Sequence, residues 1–130
     1  MLVADANIVI AASTPGHVHH HDAVRIVAEF GLAGIVLHSL TMAEVLLGPA
    51  RAGNLAGAQD RLTAAGFMLA PNGEPPPDVL ARVRAATSLT MPDTCVLATA
   101  EYLRLDLATF DDRLAREAIG RGVRVRRRAG

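Results

Sequence analysis

Residues 2–10, LVADANIVI, decide how the rest of the chain reads. A short apolar run, LVAD, suits a strand, and the run that follows, ANIVIAAS (6–13), suits a short helix. Asp5 stands at the junction of the two. A carboxylate beside a buried strand needs partners or bulk water. Asp5 therefore either caps the helix or holds something.

The same succession recurs outward from this point. HDAVRIVAEFGL (21–32) has apolar positions at helical spacing and leads to a strand in GIVLHS (34–39). TMAEVLLGPARAG (41–53) and NLAGAQDRLTAAG (54–66) read as helices ended by glycine, and FMLAP (67–71) as a strand. EPPPDVLARVRAATSL (74–89) and MPDTCVLATAEYLR (91–104) are further helices, followed by a strand in LDLATF (105–110). DDRLAREAIG (111–120) is a helix, and VRVRR (123–127) a last alternating strand at a sheet edge. No repeat and no long linker divides the chain, so a single domain over 1–130 is expected. Strands alternating with helices predict an α/β fold with a mainly parallel sheet covered on both faces.

Composition excludes several chemistries. In 130 residues, 51% of them apolar, no uninterrupted stretch reaches the ~18 residues of a membrane span. The opening has no basic leader, and a soluble, cytoplasmic protein is expected. The lone Cys95 cannot form an internal disulfide and reads as a small core residue. All 13 basic residues are arginine; without lysine there is no P-loop phosphate site and no Schiff-base catalysis. Formal charge sums to zero, yet five arginines crowd the last ten residues, RGVRVRRRAG. Arg124, Arg126, Arg127 and Arg128 either touch phosphates or form a solvated terminal charge run, the plainer reading.

The acids fall at repeated positions. Asp5 follows the first strand, Glu44 lies in the first turn of the helix after the second, Asp93 follows Pro92 at a helix start, and Asp111 follows LATF. In an open parallel sheet the carboxyl ends of the strands share the edge where ligands bind. Each acid also has a plainer role in capping a helix or meeting its dipole, and Thr41 and Glu44 match the capping-box spacing. Leu97 and Ala100 below Asp93, and Leu40 and Leu47 around Glu44, predict that both acids lie on inward apolar faces. Converging carboxylates repel one another, and a hard divalent cation, Mg²⁺ or Mn²⁺, relieves that repulsion better than zinc would.

LVADANIVIA, TMAEVLLG, MPDTCVLATA and LATFDDRL together resemble, in order and spacing, the motifs of PIN-domain ribonucleases, with the size of the VapC-type toxins of bacterial toxin–antitoxin pairs. The resemblance implies an α/β/α sandwich with a short parallel sheet, a divalent metal, endonucleolytic RNA cleavage and inhibition by a small antitoxin. Carried over, Asp5, Glu44, Asp93 and Asp111 match the family's acidic positions, as metal ligands and catalytic residues. Asn7 and Thr109 match its small polar residues, which orient carboxylates or water. Asp112 either replaces Asp111 or steadies the helix start. The resemblance further implies hydrolysis that leaves 5′-phosphate and 3′-hydroxyl ends, and the apolar helix positions suggest a homodimer besides the antitoxin contact.

HVHHH (17–21) offers a competing site. His17, His19, His20 and His21 could bind a transition metal or cleave RNA without one, but a polar loop leading into a helix near Asp22 is the simpler expectation. His38 ends the second strand on the same edge as the acids and reads as an ordinary strand-end histidine. A PIN-like binding module without catalysis is the main alternative. A phosphate-ester hydrolase of another α/β family is weaker, since dehalogenase-type phosphatases need a second aspartate where Asn7 stands and a lysine that the chain lacks.

Overall fold

The computed structural model describes residues 1–128; the last two residues of the arginine-rich end, Ala129 and Gly130, lie outside the described residues. Five short strands, β1 (Leu2–Ala4), β2 (Ile35–Val36), β3 (Phe67–Met68), β4 (Asp106–Ala108) and β5 (Val125–Arg126), form one sheet in the order β3-β2-β1-β4-β5. Every neighbouring pair is parallel, with Leu2 opposite Ile35 on one side and Asp106 on the other. Helices make each crossover: α1 (Ala6–Ala12) and α2 (His20–Phe30), α3 (Ser39–Arg51) and α4 (Leu55–Ala65), α5 (Pro77–Ala86) and α6 (Met91–Leu103), then α7 (Asp112–Gly120).

Strand residues alternate between two separate cores. Val3, Val36 and Leu107 pack with Val96, Leu97 and Leu114 of α6 and α7, whereas Leu2, Ala4, Ile35 and Ala108 pack with Ile8, Val9 and Ile26 of α1 and α2. All seven of these strand residues are fully buried, as expected when helices cover both faces of a parallel sheet. The architecture is the α/β/α sandwich. Among the described residues no helix is long and apolar enough to cross a membrane.

Close approach of two glycines sets the β2–β3 side of the sheet. Gly66 ends α4 with a left-handed φ of 101°, and its N–H turns back to Leu62 and Thr63. A Cβ there would fall 2.0 Å from the Gly31 carbonyl oxygen, so no other residue fits without moving backbone.

Several boundaries differ from the sequence reading. The second strand stops at Val36, and α3 begins at Ser39 rather than Thr41. The expected Thr41–Glu44 capping box does not form. His38 is the N-cap, its Nδ1 accepting from the Leu40 N–H at 3.1 Å. Thr41 is buried as the third helical residue, which moves Glu44 into the second turn. α2 starts at His20, ahead of Asp22, and α5 starts at Pro77, leaving Glu74 in the preceding loop. VRVRR does supply the edge strand, and its arginines divide: Arg124 and Arg128 are exposed, as a solvated run would be, whereas Arg126 and Arg127 have specific partners. Arg126 pairs with Asp106 at 3.0 Å and lies 5.5 Å over the Phe30 ring, and Arg127 reaches Asp112 and the Phe110 carbonyl, each at 2.6 Å.

Candidate active site

Parallel register brings the first and last acids together. Ala4 of β1 lies opposite Ala108 of β4, and the Asp5 N–H continues the ladder to the Ala108 carbonyl at 3.0 Å. The residues that leave the two strands side by side are therefore Asp5 and Thr109. The Thr109 hydroxyl donates to Asp5 Oδ2 at 2.9 Å and accepts from the Asp111 N–H at 3.0 Å. Asn7, the second residue of α1, donates to Asp5 Oδ2 at 3.0 Å and to Thr109 Oγ1 at 3.3 Å, while its Oδ1 accepts from the Phe110 N–H at 3.3 Å. Asn7 and Thr109 thus fix one oxygen of Asp5, and the Ala6 N–H fixes the other at 2.8 Å.

Asp111 caps α7, its Oδ1 accepting from the Leu114 N–H at 2.8 Å. Asp93 opens α6, where Pro92 suits the first turn and Thr90 is the N-cap. Capping and convergence are compatible here, because each helix N-terminus points at the same sheet edge.

The charges of these three acids meet. Burial pushes Asp5 up from 3.8 to about 6; the Thr109 and Ala6 hydrogen bonds oppose that shift, and the Asp93 and Asp111 carboxylates add to it. Asp93 is also raised, first by burial and then by Asp111, with Thr90 and the Arg113 guanidinium acting the other way. Asp5, Asp93 and Asp111 are thus one electrostatic group assembled from three helix starts.

Neither Glu44 nor Asp112 is among the charges that shift Asp5 and Asp93. Glu44 is exposed on α3, and Leu40 and Leu47, expected to form an inward face around it, are 38% and 49% exposed. Its charge acts with that of Glu74 on Cys95 of α6, whose thiol is raised chiefly by burial. A buried thiol held protonated is a core residue, not a nucleophile. Asp112 is exposed and paired with Arg127, so the inner carboxylate of the two neighbours is Asp111.

Two features of this edge escaped the sequence reading. Glu74, from the proline-rich loop before α5, accepts from the Ser39 N–H at 2.7 Å, from Ser39 Oγ at 3.0 Å, and meets His38 Nε2 at 3.0 Å. His19 stacks on Phe110 with ring centroids 4.3 Å apart. Neither contact leaves a periodic trace in the sequence, since each joins residues at least 35 positions apart.

Among the described residues no three His, Cys, Asp or Glu side chains are arranged to close on one metal ion. The donor set nevertheless fits a divalent cation. It is all carboxylate oxygen, it concentrates negative charge where burial already disfavours it, and a hard cation removes that conflict. The HVHHH segment does not build a rival centre: His20 Nδ1 bonds the Ala11 carbonyl at 2.8 Å, and His17 Nδ1 accepts from the His19 N–H.

Solved structures share this fold at low identity. FitAcB from Neisseria gonorrhoeae is 22% identical with a TM-score of 0.69, covering 96% of each chain. PAE2754 from Pyrobaculum aerophilum is 24% identical with a TM-score of 0.63, covering 95% of this chain and 89% of its own. A toxin–antitoxin complex from Klebsiella pneumoniae is 21% identical with a TM-score of 0.62, covering 88% of this chain and 90% of its own. No curated protein sequence matches. The PIN domain family model matches residues 2–119, and with the parallel sheet order in place, the chain belongs to the PIN domain family.

Proposed function

We propose that the protein is a divalent-metal-dependent endoribonuclease, one PIN unit over 1–130, acting in the cytoplasm as the toxin of a toxin–antitoxin pair. The observation that carries the reading is the electrostatic group of Asp5, Asp93 and Asp111, oriented by Asn7 and Thr109 at the sheet edge. Asp5, Asp93 and Asp111 would hold Mg²⁺ or Mn²⁺, and Glu44 would join them by a change of side-chain rotamer. Such a cation supplies Lewis acidity to a phosphate and lowers the pKa of attacking water. Asn7 and Thr109 hold one Asp5 oxygen and the Ala6 N–H holds the other, while the Leu114 N–H fixes one oxygen of Asp111 and leaves the other to the site. With water attacking phosphorus and the 3′ oxygen leaving, hydrolysis would give 5′-phosphate and 3′-hydroxyl products.

The partner side rests on a groove of about 640 Å³ between α1, α2, α3 and α4, lined by Val9, Ile10, Val24, Val45, Leu46 and Leu62. Ile10 is 50% and Val24 42% exposed, so the groove suits the apolar face of an antitoxin helix. The Klebsiella neighbour is itself described as a toxin–antitoxin complex. A homodimer contact elsewhere on the surface belongs to the same proposal. The outward position of Glu44 favours a second reading, a binding module without catalysis. RNA incubated with Mg²⁺ or Mn²⁺ separates them: cleavage abolished by chelator and by Asp111→Asn, but kept by Asp112→Asn, is expected. Intact RNA under all conditions supports the binding module, and cleavage that persists in chelator contradicts the metal-dependent mechanism.

A further inference from the structure

We infer that His17, His19 and Phe110 form a stacking subsite for a nucleobase of single-stranded RNA beside the acidic group. The inference rests on the ribonuclease reading and names how that site grips its substrate. Phe110 lies between Thr109 and Asp111, with its N–H on Asn7 and its carbonyl held by Arg127, so its ring is anchored at the reacting edge. His19 stacks on it almost in parallel, the planes 11° apart and the centroids 4.3 Å apart. His17 continues the column less closely, 5.7 Å from His19 and tilted by 40°.

Stacking surface is scarce in this chain, and that scarcity sharpens the assignment. There are three Phe, one Tyr and no Trp. Phe67 is buried, the Phe30 ring lies under Arg126, and Tyr102 sits near the far end of α6. Phe110, with the histidines stacked on it, is the aromatic surface that borders the acids.

The column is also held in place before any ligand arrives. The His19 N–H bonds His17 Nδ1 at 3.0 Å, and His20 ties the same segment to the end of α1. With Nδ1 accepting, a neutral His17 carries its proton on Nε2, a donor that has no partner among the described residues. A base adds at the His17 end by stacking on that imidazole, while the Nε2–H, which lies in the ring plane, is free to donate to a sugar or phosphate oxygen beside the stacked base. Rings already ordered lose little freedom when a base lands on them, and stacking tolerates any base because every base has a π face.

The test uses the full chain carrying Asp93→Asn, with Mg²⁺ present, so that short single-stranded oligoribonucleotides stay intact during binding. One nucleotide at a time is replaced by an abasic residue or by fluorescent 2-aminopurine. At one register position the abasic residue is expected to weaken binding about 5- to 150-fold, the span of one base-on-ring stack, and 2-aminopurine there to be quenched. His17→Ala abolishes the quenching and the penalty for the abasic residue, and His17→Phe, which keeps a ring, restores both. RNA that binds with equal affinity whichever base is missing overturns the subsite alone. Failure to bind any oligoribonucleotide overturns the subsite together with the ribonuclease reading.

Discussion

At Asp5 burial and charge conflict most directly. The side chain is 9% exposed, accepts three hydrogen bonds, and is still raised from 3.8 to about 6 by burial and by Asp93 and Asp111. A folded pKa above the unfolded value means that the protonated form favours folding. That contribution is complete below about pH 4 and is lost as pH rises through about 6. Asp5→Asn mimics the protonated state and keeps an acceptor oxygen. In chelator, the variant should therefore match the wild type near pH 4 and exceed it by on the order of 2–3 kcal/mol at pH 7. Urea unfolding across that range measures the difference, and a gap that does not change with pH contradicts the assignment. Asp5 and Asp111 were legible as strand-end acids because each interrupts an apolar run just before a helix. The inward face expected around Glu44 does not form, because Leu40 and Leu47 are exposed, and apolar spacing marks a face without showing that anything covers it.

Among the elements, α3 shows where local reading stops. A capping box was the local solution for its N-terminus, and Thr41 and Glu44 have the required spacing. The chain uses His38 instead, and brings in Glu74 from 35 residues away to take the Ser39 N–H and hydroxyl. A carboxylate at a helix N-terminus gains from the dipole as well as from its hydrogen bonds. Glu74→Ala should cost about 1–3 kcal/mol in urea unfolding and Glu74→Gln distinctly less, because the amide keeps one acceptor. Equal stability of Glu74→Ala and wild type would show that the loop does not secure α3. By contrast α6 was legible at its start, where Pro92 and Asp93 mark a first turn, and its interior from Thr94 to Ala100 is buried throughout. The alternation of strands and helices carried the fold class, since period and punctuation are local properties. Residues 37–38 were read as strand because apolar content alone does not show where sheet pairing ends.

Across the whole molecule, a five-stranded parallel sheet gathers helix N-termini along one edge, and the acids follow from that topology. The edge strand β5 returns Arg127 to the same region, where it pairs with Asp112 and leaves Asp111 to the inner group. The central claim is that Asp5, Asp93 and Asp111 form a divalent-cation site, and thermal melts in chelator and in Mn²⁺ test it without knowledge of the RNA. Wild-type protein should gain roughly 2.7 kcal/mol of stability when free metal is a hundredfold above its dissociation constant. Asp93→Asn, which removes one of the repelling charges, should melt at or above the wild type in chelator and lose most of the Mn²⁺ shift. Asp78→Asn, which alters an exposed acid paired with Arg82 on α5, serves as the control and should keep the shift. An Asp93→Asn protein that melts below the wild type in chelator and retains the full Mn²⁺ shift would contradict the account.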